Sequence, residues 1–181
     1  MRALGMIEVT SIPAGIEAGD AMLKTAAVEL VVAYAVCAGK YIVVITGEVA
    51  AVRAGVSAGE ASAGMGLVDS IVIANVNEQV PLAVNMCNDV GVIEAIGSLE
   101  TFSLCAALYA ADAMAKAAEV RLIEVRLGRG LGGKAFVTLT GKVAAVKAAI
   151  QAAKALDEVE GLVSGEAVIP SPHPDLLNSL L

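Results

Sequence analysis

The sequence has few aromatic side chains and an excess of acidic over basic ones. Aromatic residues make up 3% of the 181 residues, tryptophan is absent and there is one histidine. Lys and Arg number 12 against 19 Asp and Glu, which gives a formal net charge of -7. Nucleic-acid binding relies on clustered cations that neutralise phosphates, so this balance argues against a nucleic-acid partner. The scarcity of aromatics also means that the 57% hydrophobic content is mostly Ala, Val, Ile and Leu.

The sequence also lacks a long uncharged run and a paired set of cysteines. Its longest run without a charged residue, 101–111, has eleven residues, whereas a membrane-spanning helix needs about 20. Arg2 leads directly into a strand-like segment, so no signal peptide is expected. Three cysteines without paired spacing do not form a disulfide framework and favour a reducing, cytoplasmic setting. A small domain buries only ~60% of its chain surface by folding, so a chain this apolar is expected to associate.

The chain contains one segment twice. Residues 3–30 and 95–122, at a spacing of 92, are identical at 13 of 28 positions without a gap. This composition would give about three identities by chance, so the internal repeat is real. The match resumes at a spacing of 94, where Thr-Gly-x-Val-Ala-Ala-Val occurs at 46–52 and again at 140–146.

Each copy of the repeat is long enough to be a domain. The copies end with Val-Ile at 72–73 and at 168–169, a spacing of 96. Each is therefore about 90 residues long, a normal size for a small domain. The sequence predicts two tandem domains, residues 1–88 and 89–181, with the junction within 86–91.

Both copies predict the same order of short strands and Ala-rich helices. In each copy two β-rich runs flank a tight glycine turn, and strands joined by such a turn are antiparallel. The predicted fold class is therefore α+β, with a mainly antiparallel sheet and flanking helices in each copy. The first copy has predicted strands at 3–9, 28–36, 40–46 and 70–74 and helices at 13–26 and 48–63. The second copy has predicted strands at 95–101, 120–127, 134–140 and 166–170 and helices at 105–118 and 142–156.

The segment 128–135 imitates two phosphate-binding motifs. Its sequence, Gly-Arg-Gly-Leu-Gly-Gly-Lys-Ala, fits G-x-G-x-x-G and nearly fits G-x-x-x-x-G-K-[ST]. In both motifs the glycines open a helix whose N-terminal amides face the phosphates, but here a strand-like run follows. Ala135 also lacks the hydroxyl that would hold magnesium. The segment is therefore interpreted as a glycine-rich turn that packs closely, and not as a nucleotide site.

Several short motifs together resemble a known family. They are G-x-[IL]-E near the start of each copy, D-x-x-x-K after the first helix, a Gly-Lys turn, Thr-Gly-x-Val-x-x-Val at a helix entry and a closing V-I-P-x-P-H-P. Over nearly the whole chain this is similar to the bacterial microcompartment shell-protein domain, in its tandem, non-permuted form. The resemblance is closest to the propanediol-utilisation type, whose pore carries an iron–sulfur cluster. It implies a homotrimer with six domains around a central pore, which tiles with other shell proteins into a shell.

The resemblance also implies which loops line the pore. Cys37 is the pore residue with potential chemistry, because a three-fold axis would gather three thiolates and three Cys ligands can hold a [4Fe–4S] cluster, one per trimer. A small apolar residue in a turn is the alternative role for Cys37, and Cys87 and Cys105 are interpreted as structural. The pore-lining positions that match the family are Val36, Cys37, Ala38, Gly130, Leu131 and Gly132.

Three residues match positions that lie between neighbouring discs in the family. They are Lys24, which has the spacing of a surface ion pair with Asp20, its repeat-equivalent Lys116, and His173 within the proline-rich segment 170–174. The first copy has Ala-Asn-Val-Asn at 74–77 in place of that segment. Its lateral contacts are therefore expected to differ from those of the second copy.

The sequence does not predict an enzyme. His173 lies between two prolines with no nucleophile partner in view, and Glu8 and Glu100 are repeat-equivalent acids that belong to each domain's framework. One open function is a shell trimer whose cluster-bearing pore passes electrons or cluster components, with an encapsulated redox enzyme as a partner. A second is a shell trimer with a cluster-free pore for small metabolites. A third is a small-molecule-binding regulatory oligomer; none of the three involves a membrane.

Overall fold

The computed structural model describes residues 2–180. Each copy of the repeat folds into a four-stranded antiparallel sheet with helices packed on it, which confirms the predicted α+β class. The first copy comprises β1 (Arg2–Val9), α1 (Ile12–Thr25), β2 (Val28–Val36), β3 (Lys40–Glu48), α2 (Val49–Ala63), a 3₁₀ turn (Gly64–Gly66), β4 (Leu67–Ala74) and α3 (Gln79–Val84). The second comprises β5 (Ala95–Thr101), α4 (Leu104–Ala117), β6 (Val120–Leu127), β7 (Ala135–Gly141), α5 (Val143–Lys154), β8 (Val163–Ile169) and α6 (Pro174–Leu180).

The two sheets have the same topology and the same irregularities. Their strand orders are β2-β3-β1-β4 and β6-β7-β5-β8, and every pairing is antiparallel. The register between the first and last strand shifts after Glu8 in one sheet and after Glu100 in the other. A bulge recurs at a matching point of the second pairing, after Leu30 and after Leu122. The sequence repeat is therefore a structural repeat down to its bulges.

Two short helices were not predicted. These are α3 and α6, of six and seven residues, which are too short to show a helical period in the sequence. They are also repeat-equivalent, because the spacing of 96 that relates the ends of the copies carries Gln79 onto Asp175. The last strand of each copy also begins three residues before its predicted start, at Leu67 and at Val163.

Alternation along β1 divides its side chains between two apolar clusters. Ala3 and Ile7 join a cluster with the side chains of α1 and α2, which is the core of the first copy. Glycine at position 5 lets α2 approach, because an added Cβ would lie 2.6 Å from a methyl of Val56. The helix-to-sheet distance thus depends on a residue without a side chain. Gly97 of the second copy meets Val146 at the same distance of 2.6 Å.

The opposite face of the first sheet is covered by the second copy. Leu4 and Met6 point away from α1 and α2 and belong to one buried cluster with Leu104 and Leu108 of α4. Fully burying such a side chain contributes about 1.5–3 kcal/mol. The two copies therefore share one large core, which we call the intrachain interface.

Helix α3 extends the intrachain interface onto the edge strand β6. The side chain of Gln79 donates to the carbonyl of Val120 at 3.3 Å and accepts from the N–H of Leu122 at 2.9 Å. Just before α3, the N–H of Asn77 donates to Oδ1 of Asp112 at 2.8 Å. The end of the first copy thus seals a strand edge of the second; the boundary at residue 88 itself stays a prediction. No helix described within residues 2–180 is long and apolar enough to cross a membrane.

Candidate functional site

The two loops expected to line a pore lie side by side in one chain. One is the β2–β3 turn at 37–39, and the other is the β6–β7 loop at 128–134, which we call the glycine loop. The N–H of Cys37 donates to the carbonyl of Gly128 at 3.1 Å. The hydroxyl of Tyr34 contacts the carbonyl of Leu127 at 3.4 Å. The six predicted pore-lining residues therefore form one continuous group, while their place at a pore remains a prediction.

Close packing explains the first glycine of the glycine loop. Gly128 has φ +71°, and a Cβ at this position would lie 2.9 Å from Cβ of Val36. The loop is closed by two backbone bonds, from the N–H of Gly128 to the carbonyl of Lys134 and from the N–H of Lys134 to the carbonyl of Leu131, at 3.1 and 3.2 Å. Strand β7 follows directly, as expected for a turn and not for a phosphate-binding helix.

The glycine loop surrounds the Cys37 thiol with backbone donors. The N–H groups of Gly132 and Gly130 lower the pKa of Cys37, with smaller contributions from Leu131 and Gly133, against partial burial that raises it. A thiolate is the form that acts as nucleophile and as metal ligand. Within one chain, the second copy therefore stabilises the ligand form of a cysteine from the first.

The other two cysteines have different surroundings. Cys105 is buried at the intrachain interface, where burial, followed by the nearby Asp69 carboxylate, raises the pKa of its thiol far above the ordinary value. It stays a neutral, apolar side chain, in keeping with a structural role. Cys87 is exposed after α3, and its Sγ contacts the carbonyl of Asn85 at 3.2 Å.

Each loop is fixed to its own sheet by the lysine that follows its turn. Lys40 contacts the buried carboxylate of Glu8, and Lys134 contacts Glu100 at 2.7 Å. Ser164 donates a further bond of 2.6 Å to Glu100. Lys134 and then Ser164 lower the pKa of Glu100. These contacts support the framework role expected for both glutamates.

Two arginines lie beside the glycine loop against aromatic rings. The guanidinium of Arg129 is 4.1 Å from the ring centroid of Tyr34, and that of Arg126 is 5.2 Å from Phe136. Arg126 also pairs with the buried carboxylate of Glu124. Cation–π contact thus holds the charge of Arg129 on the β6 side of the loops, whereas the charge of Arg126 is balanced by Glu124.

The three predicted edge residues lie in three different environments. Lys24 is exposed and pairs with Asp20 at 2.6 Å, which confirms the pair expected from their spacing. Lys116 makes the same pair with Asp112, but at the intrachain interface. His173 is exposed just before α6, where its Nδ1 lies 3.6 Å from the carboxylate of Asp175.

No group of three or more His, Cys, Asp or Glu side chains that could hold a metal occurs within residues 2–180 of one chain. Cys37 is a partly exposed thiol with donors around it, and one chain offers one such thiolate. A site with three thiolates would therefore need Cys37 from three chains.

Comparison with known proteins agrees with this architecture. The BMC domain family matches the chain twice, over residues 3–76 and 95–172. The bacterial microcompartment shell protein PduT of Citrobacter freundii is 38% identical over 99% of this chain and 98% of its own length. PduA of the same organism, also a shell protein, is 45% identical over 46% of this chain and 87% of its own length.

A solved structure shows the same fold over the whole chain. The crystal structure of a microcompartment protein from Desulfitobacterium hafniense is 46% identical, covers 98% of this chain and superposes with a TM-score of 0.95. The domain model matches the chain twice, and PduT aligns with it over nearly its whole length. The chain belongs to the BMC domain family, as a microcompartment shell protein that carries the domain in tandem.

Proposed function

We propose that this chain forms a homotrimeric tile of a microcompartment shell and that Cys37 from three chains holds a [4Fe–4S] cluster in the central pore. The observation that carries the proposal is an imbalance between the two copies. Inside the chain, a helix face of the second copy packs on a sheet face of the first copy. The equivalent helix face of the first copy and the equivalent sheet face of the second copy have no such partner among the described residues of the chain.

The helix side of this imbalance is clear in α1 and α4. Leu104 and Leu108 of α4 are 1% and 0% exposed because they contact the first copy. Their repeat-equivalents in α1, Ile12 and Ile16, are 40% and 56% exposed. An apolar helix face that one copy buries is therefore open on the other, and we call it the open helix face.

The sheet side shows the converse. Met6 and Ile42 on the outer face of the first sheet are fully buried under α4. Their repeat-equivalents in the second sheet, Ser98 and Phe136, are partly exposed. We call this the open sheet face, and by the symmetry of the repeat the open helix face of another chain fits on it.

A head-to-tail contact of this kind forms a ring when its rotation closes and an open filament when it does not. Three chains place six equivalent domains around an axis, which is the arrangement that the family resemblance implies. The apolar composition supports the same conclusion, since each ring contact covers side chains that a single chain leaves in water. Other shell proteins are the expected lateral neighbours of such a tile.

The residues of the Cys37 turn fit an iron–sulfur cluster. The donors in the glycine loop favour the thiolate of Cys37, and soft thiolates prefer iron–sulfur over hard ions. Gly130 and Gly132 have φ +70° and +63°, a backbone conformation that glycine adopts without strain. When bound, such a cluster supplies one-electron redox chemistry, for which an encapsulated redox enzyme is the expected partner. Cys37 holds it, and the glycine loop orients Cys37.

Mass and iron content test the proposal together. Native mass measurement is expected to give three chains, about 55 kDa from 18.2 kDa each, and anaerobic protein to approach four irons per trimer with absorbance near ~400 nm. Cys37→Ser should remove the iron and the absorbance but keep the trimer. Cys87→Ser is the matched control at another accessible cysteine and should keep the iron, the absorbance and the trimer. A trimer without iron after anaerobic reconstitution would leave a cluster-free pore for small metabolites. A monomer at micromolar concentration would overturn the tile itself.

A further inference from the structure

We infer that the segment 170–176 of one chain docks on α1 of the next chain, where the N–H of His173 donates to the carboxylate of Asp20 of the next copy. The inference rests on the ring proposed above and names the contact that closes it. It gives the only histidine a partner in a second copy of this chain.

The docking segment has a repeat-equivalent whose contacts are visible. The last strands, β4 and β8, pair in the same way with β1 and β5, and each leads through a short segment into a short helix. At the spacing of 96, His173 corresponds to Asn77 and α6 corresponds to α3. What residues 74–84 do inside the chain thus predicts what the end of the chain does outside it.

The first segment is anchored on α4 by two hydrogen bonds and an apolar side chain. The N–H of Asn77 donates to Asp112 at 2.8 Å, and its side-chain amide donates to the carbonyl of Ala115 at 3.4 Å. Val80 of α3 is fully buried behind them. Asp112 keeps its pair with Lys116 at the same time, through its other oxygen.

The acceptors on α4 have open counterparts on α1. Asp112 corresponds to Asp20 and Ala115 to Leu23, at the spacing of 92. The side chain of Asp112 is 11% exposed, whereas that of Asp20 is 59% exposed although it makes the same pair with Lys24. Asp112 is covered by the segment that follows β4, and no described segment of the same chain covers Asp20. In a ring, the segment 170–176 of another chain would cover Asp20.

Histidine retains the donor that this position needs. In His173 the Nδ1 atom accepts the N–H of Asp175 at 3.2 Å, so the neutral ring carries its proton on Nε2. That Nε2–H is placed to replace the side-chain amide of Asn77, with the carbonyl of Leu23 of the next copy as its acceptor. Asp175 corresponds to Gln79. As Gln79 does on β6, an aspartate can accept an N–H from the edge strand β2 of the next copy, but its carboxylate cannot donate as the Gln79 amide does.

A disulfide between the two positions tests the contact directly. In a Cys37→Ser, Cys87→Ser background, His173→Cys combined with Asp20→Cys is expected to give covalent dimers and trimers with oxidised glutathione, seen on a non-reducing gel. Asn77→Cys with Asp112→Cys is the matched pair, expected to form the same bridge within one chain at unchanged mass. His173→Cys with Arg53→Cys is the negative pair, since Arg53 and its counterpart Lys147 are both exposed.

Affinity gives an independent measurement. Asp20→Ala should raise the concentration at which the trimer dissociates about ten-fold, because a hydrogen bond to a charged acceptor is lost, while Arg53→Ala should leave it unchanged. A trimer by mass that forms no cross-link and tolerates Asp20→Ala would overturn the docking contact and leave the ring intact. A wild-type monomer would instead mean that the ring, and with it this contact, does not form.

Discussion

At the residue scale, Cys37 shows how one copy of the repeat changes the chemistry of the other. Its sulfur belongs to the first copy and its hydrogen-bond donors to the second. Cys105 has the opposite surroundings, with burial and a carboxylate that both disfavour the thiolate. The same type of side chain is therefore stabilised as a thiolate at Cys37 and kept neutral at Cys105.

Alkylation measures this difference. Because backbone donors lower the pKa of Cys37, its reaction with iodoacetamide in iron-free protein should reach half-maximal rate below the ordinary thiol pKa of about 8.5. Cys105 should not react before unfolding. Peptide mass mapping at a series of pH values checks both, with Cys37→Ser as the control. A midpoint for Cys37 at or above that of a free thiol would contradict the role assigned to the glycine loop.

Three glycines separate backbone strain from steric contact. Gly165 has open space around it and no positive φ, Gly130 has φ +70° and open space, and Gly128 has φ +71° and a close contact with Val36. Substitution by Ala should therefore change the free energy of unfolding by at most about 0.5 kcal/mol at Gly165. It should cost about 1–2 kcal/mol at Gly130 and about 3 kcal/mol at Gly128. Denaturant unfolding at one fixed protein concentration measures the three values. Equal costs at Gly128 and Gly130 would mean that the contact with Val36 relaxes freely.

The sequence predicted part of this site. That the glycine loop is a close-packed turn, and not a phosphate site, followed from Ala135 and the strand after it. The identity of what it packs against, Val36 and Cys37, did not follow, because the contact joins two copies whose relative placement leaves no local pattern. The donors around Cys37 were missed for the same reason.

At the element scale, the distance between helix and sheet depends on one glycine in each copy. An added Cβ at Gly5 would lie 2.6 Å from Val56 and 2.7 Å from Val52. Gly5→Ala should therefore destabilise the protein by about 1–3 kcal/mol through overpacking of α2. Val56→Ala should restore part of this loss, so that the double variant is more stable than the sum of the single costs by about 1 kcal/mol. A thermodynamic cycle from urea unfolding checks this, and strict additivity would contradict it.

Strands and long helices were predictable because their patterns are local. Short strand-like runs predicted β1 and β5, and the tight glycine turns predicted the antiparallel pairing of the strands on either side of them. Helices α3 and α6 were not predictable, because six or seven residues hold too few turns for a period. Helix α3 covers the edge strand β6 of the second copy, and that contact is information that the sequence of α3 does not contain.

At the scale of the whole molecule, repeat-equivalent segments occupy unequal environments. Helices α1 and α4 are identical at six of 14 positions. Nine residues of α4 are buried, whereas α1 presents Ile12, Ile16 and Leu23 to solvent. Apolar composition predicted that the chain associates. Which face would remain open required the structure, since it depends on which copy has a neighbour on that side within the chain.

One substitution at two equivalent positions tests this view of the molecule. Leu108→Asp places a charge in the intrachain interface, where the side chain is fully buried, and should unfold the chain or cost more than about 4 kcal/mol. Ile16→Asp places the same charge on the open helix face and should leave each chain folded, because no intrachain contact buries Ile16. It should instead stop ring closure, since the charge would be buried against the open sheet face of the next chain. Circular dichroism and native mass measurement separate the outcomes: a folded Ile16→Asp monomer is expected beside an unfolded Leu108→Asp chain. An Ile16→Asp variant that remains trimeric at low micromolar concentration would show that the ring, if it forms, does not use this face of α1.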